Sequence, residues 1–524
     1  MATSPQDWPQ LVRIALLGTQ QTTEPVPVLS GFGPAAEGVA ADHREKQVLL
    51  TAGAFSLVRK AGFQPLTAPP TSLSVTPAPA ETLLPLGALG RQYLPLLLGG
   101  RYGGLLPEYL RELARHGRRV PHSQLVALLD YALAHSELHE PTSQVLGQRG
   151  QWLTALNPEW QTLRAPDPQG PDVAEWDTGG LPLRRRFLTR LRRSDPQGAR
   201  ELLAAALPQE SARSQALLLT ALAENQAPDD APLLEQYLVS KSKEVRQAVL
   251  PLLVCLPGSP LVERLWQRAE PLVRLKSTLL NKKLLVSLPE QWDKSWLADG
   301  VEQKDSRFQG EKAAWLGQLL SLIPPSRWAA HWGVSPAKAL VLAASSEWAT
   351  LLLTAWREAL ILHRDAAWAL AYAELQFTLD KIPWLSAPEV VALSSIGQAV
   401  DLLLAALPRQ PTVRQPAPRW EQWLLTMPGP WPAPLTGKVL ETIGNTLRTA
   451  EPAWRYSLHY QLAQLLRYME QAVPPAQYEL CAAAQDELLA ADTGIHTAFA
   501  QLLETLDFRR SLLQTLTEPA GPDF

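Results

Sequence analysis

Asp195-Pro196-Gln197-Gly198-Ala199-Arg200-Glu201-Leu202-Leu203 opens the stretch, running to Arg268, whose reading decides the fold. Further on, Leu233-Leu234-Glu235-Gln236-Tyr237-Leu238-Val239-Ser240-Lys241-Ser242-Lys243-Glu244-Val245-Arg246-Gln247-Ala248-Val249-Leu250 reads as helix, short polar turn, helix. Apolar residues recur at spacings of three and four in Leu202, Leu203, Ala206, Leu207 and again in Leu217, Leu218, Ala221, Leu222. Each helix therefore carries one buried stripe and one wet face. A single hairpin of this kind cannot cover its own stripe, so the pattern predicts an all-α chain of antiparallel helix pairs stacked into an α-solenoid.

Outward from that stretch, the composition supports a continuous core. Hydrophobic residues make up 46% of the 524 positions and charged ones only 19%, which places the chain among folded proteins. Most of the 47 prolines stand singly between apolar periodic runs, where proline opens a helix at its first turn. Many of the 18 tryptophans follow a proline closely, as in Pro325-Ser326-Arg327-Trp328 and Pro418-Arg419-Trp420. Such rings serve to pack a helix start on its neighbour; an aromatic ligand ladder is the sharper alternative. Cys255 and Cys481 lie far apart in apolar helical surroundings and read as buried thiols, without a disulfide or metal knuckle. The first residues lack a basic segment followed by an apolar one, and no apolar run reaches membrane-spanning length, so the expected location is cytoplasmic.

Three regions follow from composition. Residues 1–180 form an N-terminal helical domain with a flexible linker near 64–81, rich in Pro, Thr, Ser and Ala. Residues 181–290 hold the repeats, and 291–524 continue with less regular helices, including a Pro- and Trp-dense insertion at 409–434.

Leu234-Glu235 and Glu244-Val245-Arg246-Gln247-Ala248 together resemble a HEAT repeat, in which Val245 packs between helices and Arg246 ties neighbouring turns. The chain departs from that pattern at Ser240, where such repeats more often carry Asp. Several further islands resemble an uncharacterised family of bacterial helical proteins: Ala15-Leu16-Leu17-Gly18-Thr19, Leu146-Gly147-Gln148-Arg149-Gly150-Gln151-Trp152-Leu153, Asn157-Pro158-Glu159-Trp160 and Leu256-Pro257-Gly258-Ser259. The resemblance implies a HEAT-like α-solenoid. Because members of that family are often encoded beside a MoxR-type AAA+ ATPase, a von Willebrand A-domain protein and a SWIM zinc-finger protein, it also implies an adaptor or scaffold role with such a protein as partner.

Motifs for catalysis are weak. Gly437-Lys438 lacks the glycine spacing and following hydroxyl of a phosphate loop. Gly99 to Gly104 is preceded by no strand and reads as a loop between helices. His135 and His139, on a helix spanning Ser123 to His139, share a face at i and i+4, but in His-Ser-Glu-Leu-His the glutamate is displaced from the zinc-protease position. No catalytic, metal or cofactor residues are assigned on these grounds, and the expectation is a protein that is not an enzyme and needs no cofactor.

Charge is more informative. Residues 181–290 contain 17 Lys and Arg against 11 Asp and Glu, a net of +6, between flanks of −3 (1–180) and −6 (291–524). Arg184, Arg185, Arg186, Arg190, Arg192 and Arg193 open the block, and the candidate partner-binding residues are Arg213, Lys241, Lys243, Arg246 and Lys276. Aligned along stacked repeats, these cations would form one stripe facing an acidic protein or, alternatively, nucleic acid. The bland reading is that they solvate outer helix faces and pair locally with Glu201, Glu244 or Glu263.

Overall fold

Short polar side chains start the helices of the quoted stretch. Asp195 accepts a hydrogen bond from the Gly198 amide at 2.8 Å while Pro196 takes the first helical position, where its missing N–H is no loss. Ser211 accepts from the Ser214 amide at 3.2 Å and Ser242 from that of Val245. Farther on, Ser386 and Glu389 form a reciprocal capping box. These caps punctuate a computed structural model that is 73% helical, with little strand. It describes residues 7–27, 43–61, 76–165, 173–277, 282–379, 382–407, 419–449 and 455–520. Most of the linker expected near 64–81 and residues 409–418 of the 409–434 insertion lie outside the described residues.

The chain divides into two compact units, Met1–Pro77 and Ala78–Phe524. The first holds α1 (Asp7–Leu17) and α2 (Arg44–Ala61), which share a small core of Leu11, Ile14, Val26, Val48 and Phe55.

The second unit begins with a two-residue parallel bridge between β1 (Leu84–Pro85) and β2 (Arg118–Arg119). Around it lie α3 (Ala88–Leu97), α4 (Leu106–Arg115), α5 (Leu125–Leu133), α6 (His139–Val145) and α7 (Gly147–Leu156). The single helix expected over Ser123 to His139 is broken: α5 stops at Leu133, His135 adopts extended backbone, and α6 starts at His139. Glu81, at the end of the predicted linker, is anchored here, accepting from the amides of Gln148 and Arg149 at 2.8 and 3.0 Å.

The repeat block follows as α8 (Val173–Asp177), α9 (Leu181–Ser194), α10 (Pro196–Ala206), α11 (Ala212–Leu219), α12 (Ala231–Leu238), α13 (Lys243–Cys255) and α14 (Pro260–Ala269). α9 packs on α10 and α11, and α13 packs on α11 and α12, so each stripe is covered by sequence neighbours. An all-α block then meets an exception, the antiparallel hairpin of β3 (Val273–Ser277) and β4 (Lys282–Val286). Apolar and basic residues alternate in Val273-Arg274-Leu275-Lys276, a period of two that suits a strand and not a helix.

Beyond it come α15 (Lys294–Ala298), α16 (Glu311–Leu322), α17 (Pro325–Trp332), α18 (Pro336–Ala344), α19 (Ala349–Leu362), α20 (Ala366–Gln376), α21 (Ala387–Leu393) and α22 (Ile396–Ala406). The last group is α23 (Arg419–Leu424), α24 (Ala433–Thr449), α25 (Arg455–Ala472), α26 (Tyr478–Ala483), α27 (Gln485–Ala491) and α28 (His496–Gln514). One hydrophobic cluster runs from Leu188 to Leu506 through all of these. A second belongs to Leu86 through Leu163, and Leu512 and Leu516 are part of it, so the end of the chain returns to the start of the unit. Among the described residues no single helix is long and apolar enough to cross a membrane.

Candidate binding surface

An arginine on a helix can reach a carboxylate on the next helix and satisfy it bidentately, which a lysine ammonium cannot do. The repeat block uses its two cations accordingly. Arg192 is buried and donates to both oxygens of Asp230, at 2.9 and 2.6 Å, and Arg200 adds a third bond at 3.2 Å. Arg184 pairs with Glu210 at 2.7 Å, Arg186 and Arg190 share Glu175, and Arg193 meets Glu224 at 3.0 Å. Arg264 and Arg268 both hold Asp299. Five of the six arginines that open the block are thereby ion-paired, four of them in part-buried or buried settings and Arg193 at the surface. These pairs join residues 11 to 38 apart, not the i and i+4 neighbours of a solvated helix face; Glu263 likewise pairs with Arg327, 64 residues away.

The candidate residues divide by the same rule. Arg246 is half-buried and ties the turn that precedes its helix, donating to the carbonyls of Ser240 and Lys241 at 2.9 and 3.2 Å and to Glu302 at 2.9 Å. Its guanidinium is committed to internal contacts. Arg213, Lys241, Lys243 and Lys276 are exposed, and none of them makes an ion pair among the described residues.

Lys243 and Arg246 converge on a cleft of about 510 Å³ between α13, the loop around Gly300 to Arg307, and α19. Lys304 and Arg307 join them there, opposite Glu302, Asp305 and Glu358. Burial alone would raise the Asp305 carboxyl, but hydrogen bonds from Arg307 and the positive charges of Arg307 and Lys243 outweigh it and hold the group below the usual carboxylate range. Arg307 also pairs with Glu358, so this loop is fastened to α19. A second cleft, of about 700 Å³, lies at the other end of α13. The two are divided where Cys255 Sγ donates to the Leu362 carbonyl at 3.3 Å and His363 Nε2 contacts the Leu322 carbonyl at 2.9 Å.

Sequence spacing does not bring Cys255 near a histidine or a cation; the fold places His363, Arg264 and Arg327 around the same cleft. Cys481 is buried as expected, whereas Cys255 is exposed, a correction that follows from its place at the open C-terminal end of α13. Its sulfur nevertheless faces protein, and desolvation pushes the thiol pKa up. Desolvation pushes His363 down, so the pair has the neutral thiol and neutral imidazole of a packing contact and not of an activated nucleophile. Iodoacetamide at pH 7 should therefore alkylate Cys255 more slowly than an unstructured cysteine peptide, as read by mass spectrometry; a faster rate would reveal a thiolate.

The other readings resolve geometrically. His135 stacks on Tyr131 with centroids 4.2 Å apart and contacts the Tyr131 carbonyl through Nδ1, away from the helix that begins at His139. No group of three or more His, Cys, Asp or Glu suited to a metal occurs among the described residues. Trp266, Trp328, Trp332, Trp356 and Trp368 form a continuous series with centroids 4.6 to 5.9 Å apart. The last four are buried in the core, so the rings pack helices and offer no open ladder. Their indole N–H groups have no conventional acceptor among the described residues. The edge-on angles of 64° and 69° along Trp332, Trp356 and Trp368 give such a group a π face to meet.

Fold and surface together define a predominantly helical protein in which many arginines of the repeat block are ion-paired, while Arg213, Lys241, Lys243 and Lys276 are exposed without an ion pair among the described residues. The chain belongs to the family of unknown function designated DUF5691, whose model matches residues 10–516. No curated protein and no solved structure matches it.

Proposed function

We propose that this chain is a non-enzymatic scaffold in which the helix pairs of 181–290 stack as a HEAT-like α-solenoid and present a basic surface to an acidic partner protein. One observation carries the reading: five of the six arginines opening the block are absorbed in ion pairs, while Arg213, Lys241, Lys243 and Lys276 remain exposed with none among the described residues. Unpaired surface charge adds little to folding but steers an oppositely charged partner and fixes its register. The family resemblance points to a MoxR-type AAA+ ATPase or a von Willebrand A-domain protein as that partner. Nucleic acid is the alternative for the same cations. The overall net charge of −3 and pI near 6.3 weigh against tight nonspecific binding to phosphate.

The test is charge reversal at positions free of internal contacts. Arg213→Glu with Lys241→Glu should abolish capture of the co-expressed ATPase or A-domain protein while leaving the unfolding transition within about 0.5 kcal/mol of wild type, the usual range for surface changes. Unchanged capture would remove the proposed face. Arg246 is excluded from the pair because reversing it would set a carboxylate against Glu302 and two carbonyls. A gel-shift series at rising salt separates the alternative, since a phosphate-reading surface loses affinity steeply.

A further inference from the structure

The hairpin of β3 and β4 is held by one face and charged on the other. Val273 and Leu284 are buried, with Leu275 and Val286 packed beside them on the main core. The opposite face carries Arg274, Lys276 and Lys283, while Lys282, across from Ser277, ends the core-side row at the tip of the ladder; all four are exposed. The register sets Lys276 directly across from Lys283 and Arg274 across from Leu285, which is 43% exposed. Like charges opposed across a ladder destabilise it. Among the described residues none of these four cations has an ion-pair partner; Arg274 donates only to the Pro271 carbonyl at 3.0 Å.

The backbone adds a second, independent feature. Ser287 donates to the Leu272 carbonyl at 2.8 Å, marking 272 and 287 as a hydrogen-bonded pair. Alternation then makes 274–285 and 276–283 hydrogen-bonded too and turns the peptide groups of Leu275 and Ser277 outward. No other backbone group among the described residues bonds to them. α18 lies near β4, and β3 pairs with no strand but β4 among the described residues.

From these two features we infer that the outer face and open edge of this hairpin dock an extended, acidic segment of the partner protein. Resting on the scaffold reading above, this names the chemistry recognised. Carboxylates relieve the Lys276–Lys283 repulsion, the segment's main chain meets the free groups of Leu275 and Ser277, and an apolar side chain covers Leu285. An extended segment suits a strand edge as a helix does not. The same lysines repel a second copy of this hairpin, which is how exposed strands avoid pairing with themselves, and so they select for opposite charge.

The experiment uses the full-length protein and a fluorescein-labelled peptide of alternating Glu and Val, with a Lys–Val peptide and oligo-dT as comparisons. The Glu–Val peptide should bind at low salt and weaken as salt rises. The variant K276E/K282E should lower its affinity at least tenfold and bind the Lys–Val peptide in its place. That variant sets Glu opposite Lys283, a favourable cross-strand pair, so its unfolding temperature should not fall and lost binding cannot be lost folding. No binding of the Glu–Val peptide at low salt, equal binding by the variant, or displacement of the peptide by oligo-dT would each overturn the inference. If the peptide fails while R213E/K241E still loses the protein partner, the hairpin assignment falls and the scaffold reading stands.

Discussion

Asp230→Ala should destabilise the Ala78–Phe524 unit by about 3–5 kcal/mol, the range for removing one partner of a buried ion pair. Arg192 and Asp230 are buried side by side, with side chains 1% and 0% exposed. The Arg192 guanidinium also donates to the carbonyls of Glu224 and Asn225, both at 2.9 Å, so the 224–225 turn and Asp230 converge on it. Asn225 holds left-handed backbone, φ 47°, to present that carbonyl, and its side chain returns a bond to the Arg192 carbonyl. Without Asp230 the cation keeps its carbonyls but loses its counter-charge, and Arg200 loses its acceptor. The cost lies in desolvation, since a buried guanidinium is left without its counter-charge. Chemical denaturation checks this: the midpoint should fall with an unchanged slope, whereas Arg193→Ala, at an exposed pair, should hardly move it. A change below about 1 kcal/mol for Asp230→Ala would mean that the carbonyls alone hold the arginine.

That node shows what was legible in the chain and what was not. Helix positions in 195–268 follow from apolar spacing and from Asp-Pro and Ser starts, because both are local signals. Which cations are structural is not local, since Asp230 lies 38 residues from Arg192 and the choice between them is made by packing. Residue type carries part of the answer: the buried pairs use arginines and the lysines stayed outside, as fork geometry and hydration would dictate, although Arg213 and Arg274 are exposed as well. The hairpin was legible in principle, in the alternation of Val273-Arg274-Leu275-Lys276, but a helical period on its N-terminal side masks it. The break at His135 was signalled by nothing stronger than Ser136, because Ala132, Leu133 and Ala134 all favour helix. Association of Leu512 and Leu516 with the 86–163 core is invisible to any window shorter than the chain.

That last association has its own test in Arg509→Ala. Arg509, on α28, is 3% exposed and donates to both oxygens of Glu108 on α4, at 2.9 and 2.6 Å. It also donates to the carbonyls of Glu470 and Val473. Around it, Phe508 stacks on Tyr102 with centroids 4.0 Å apart, and the hydroxyls of Tyr109 and Thr515 lie 3.3 Å apart. Truncation strands two carbonyls and a carboxylate, but Glu108 is 32% exposed and can rehydrate in part. The expected loss is therefore about 3 kcal/mol, at the lower end of the buried-pair range. Glu108→Gln, which keeps an acceptor for the guanidinium, should lose only about 1–2 kcal/mol, the difference between charged and neutral hydrogen bonds. Hydrogen exchange distinguishes a local effect from an opened contact. If α28 ties the end of the chain to its start, amides of 106–115 and 508–516 should lose protection together in Arg509→Ala, while those of α9 to α14 keep theirs. Loss confined to 508–516 would show that the 86–163 core holds without the returning helix, and the two segments would then be neighbours and not one cooperative element.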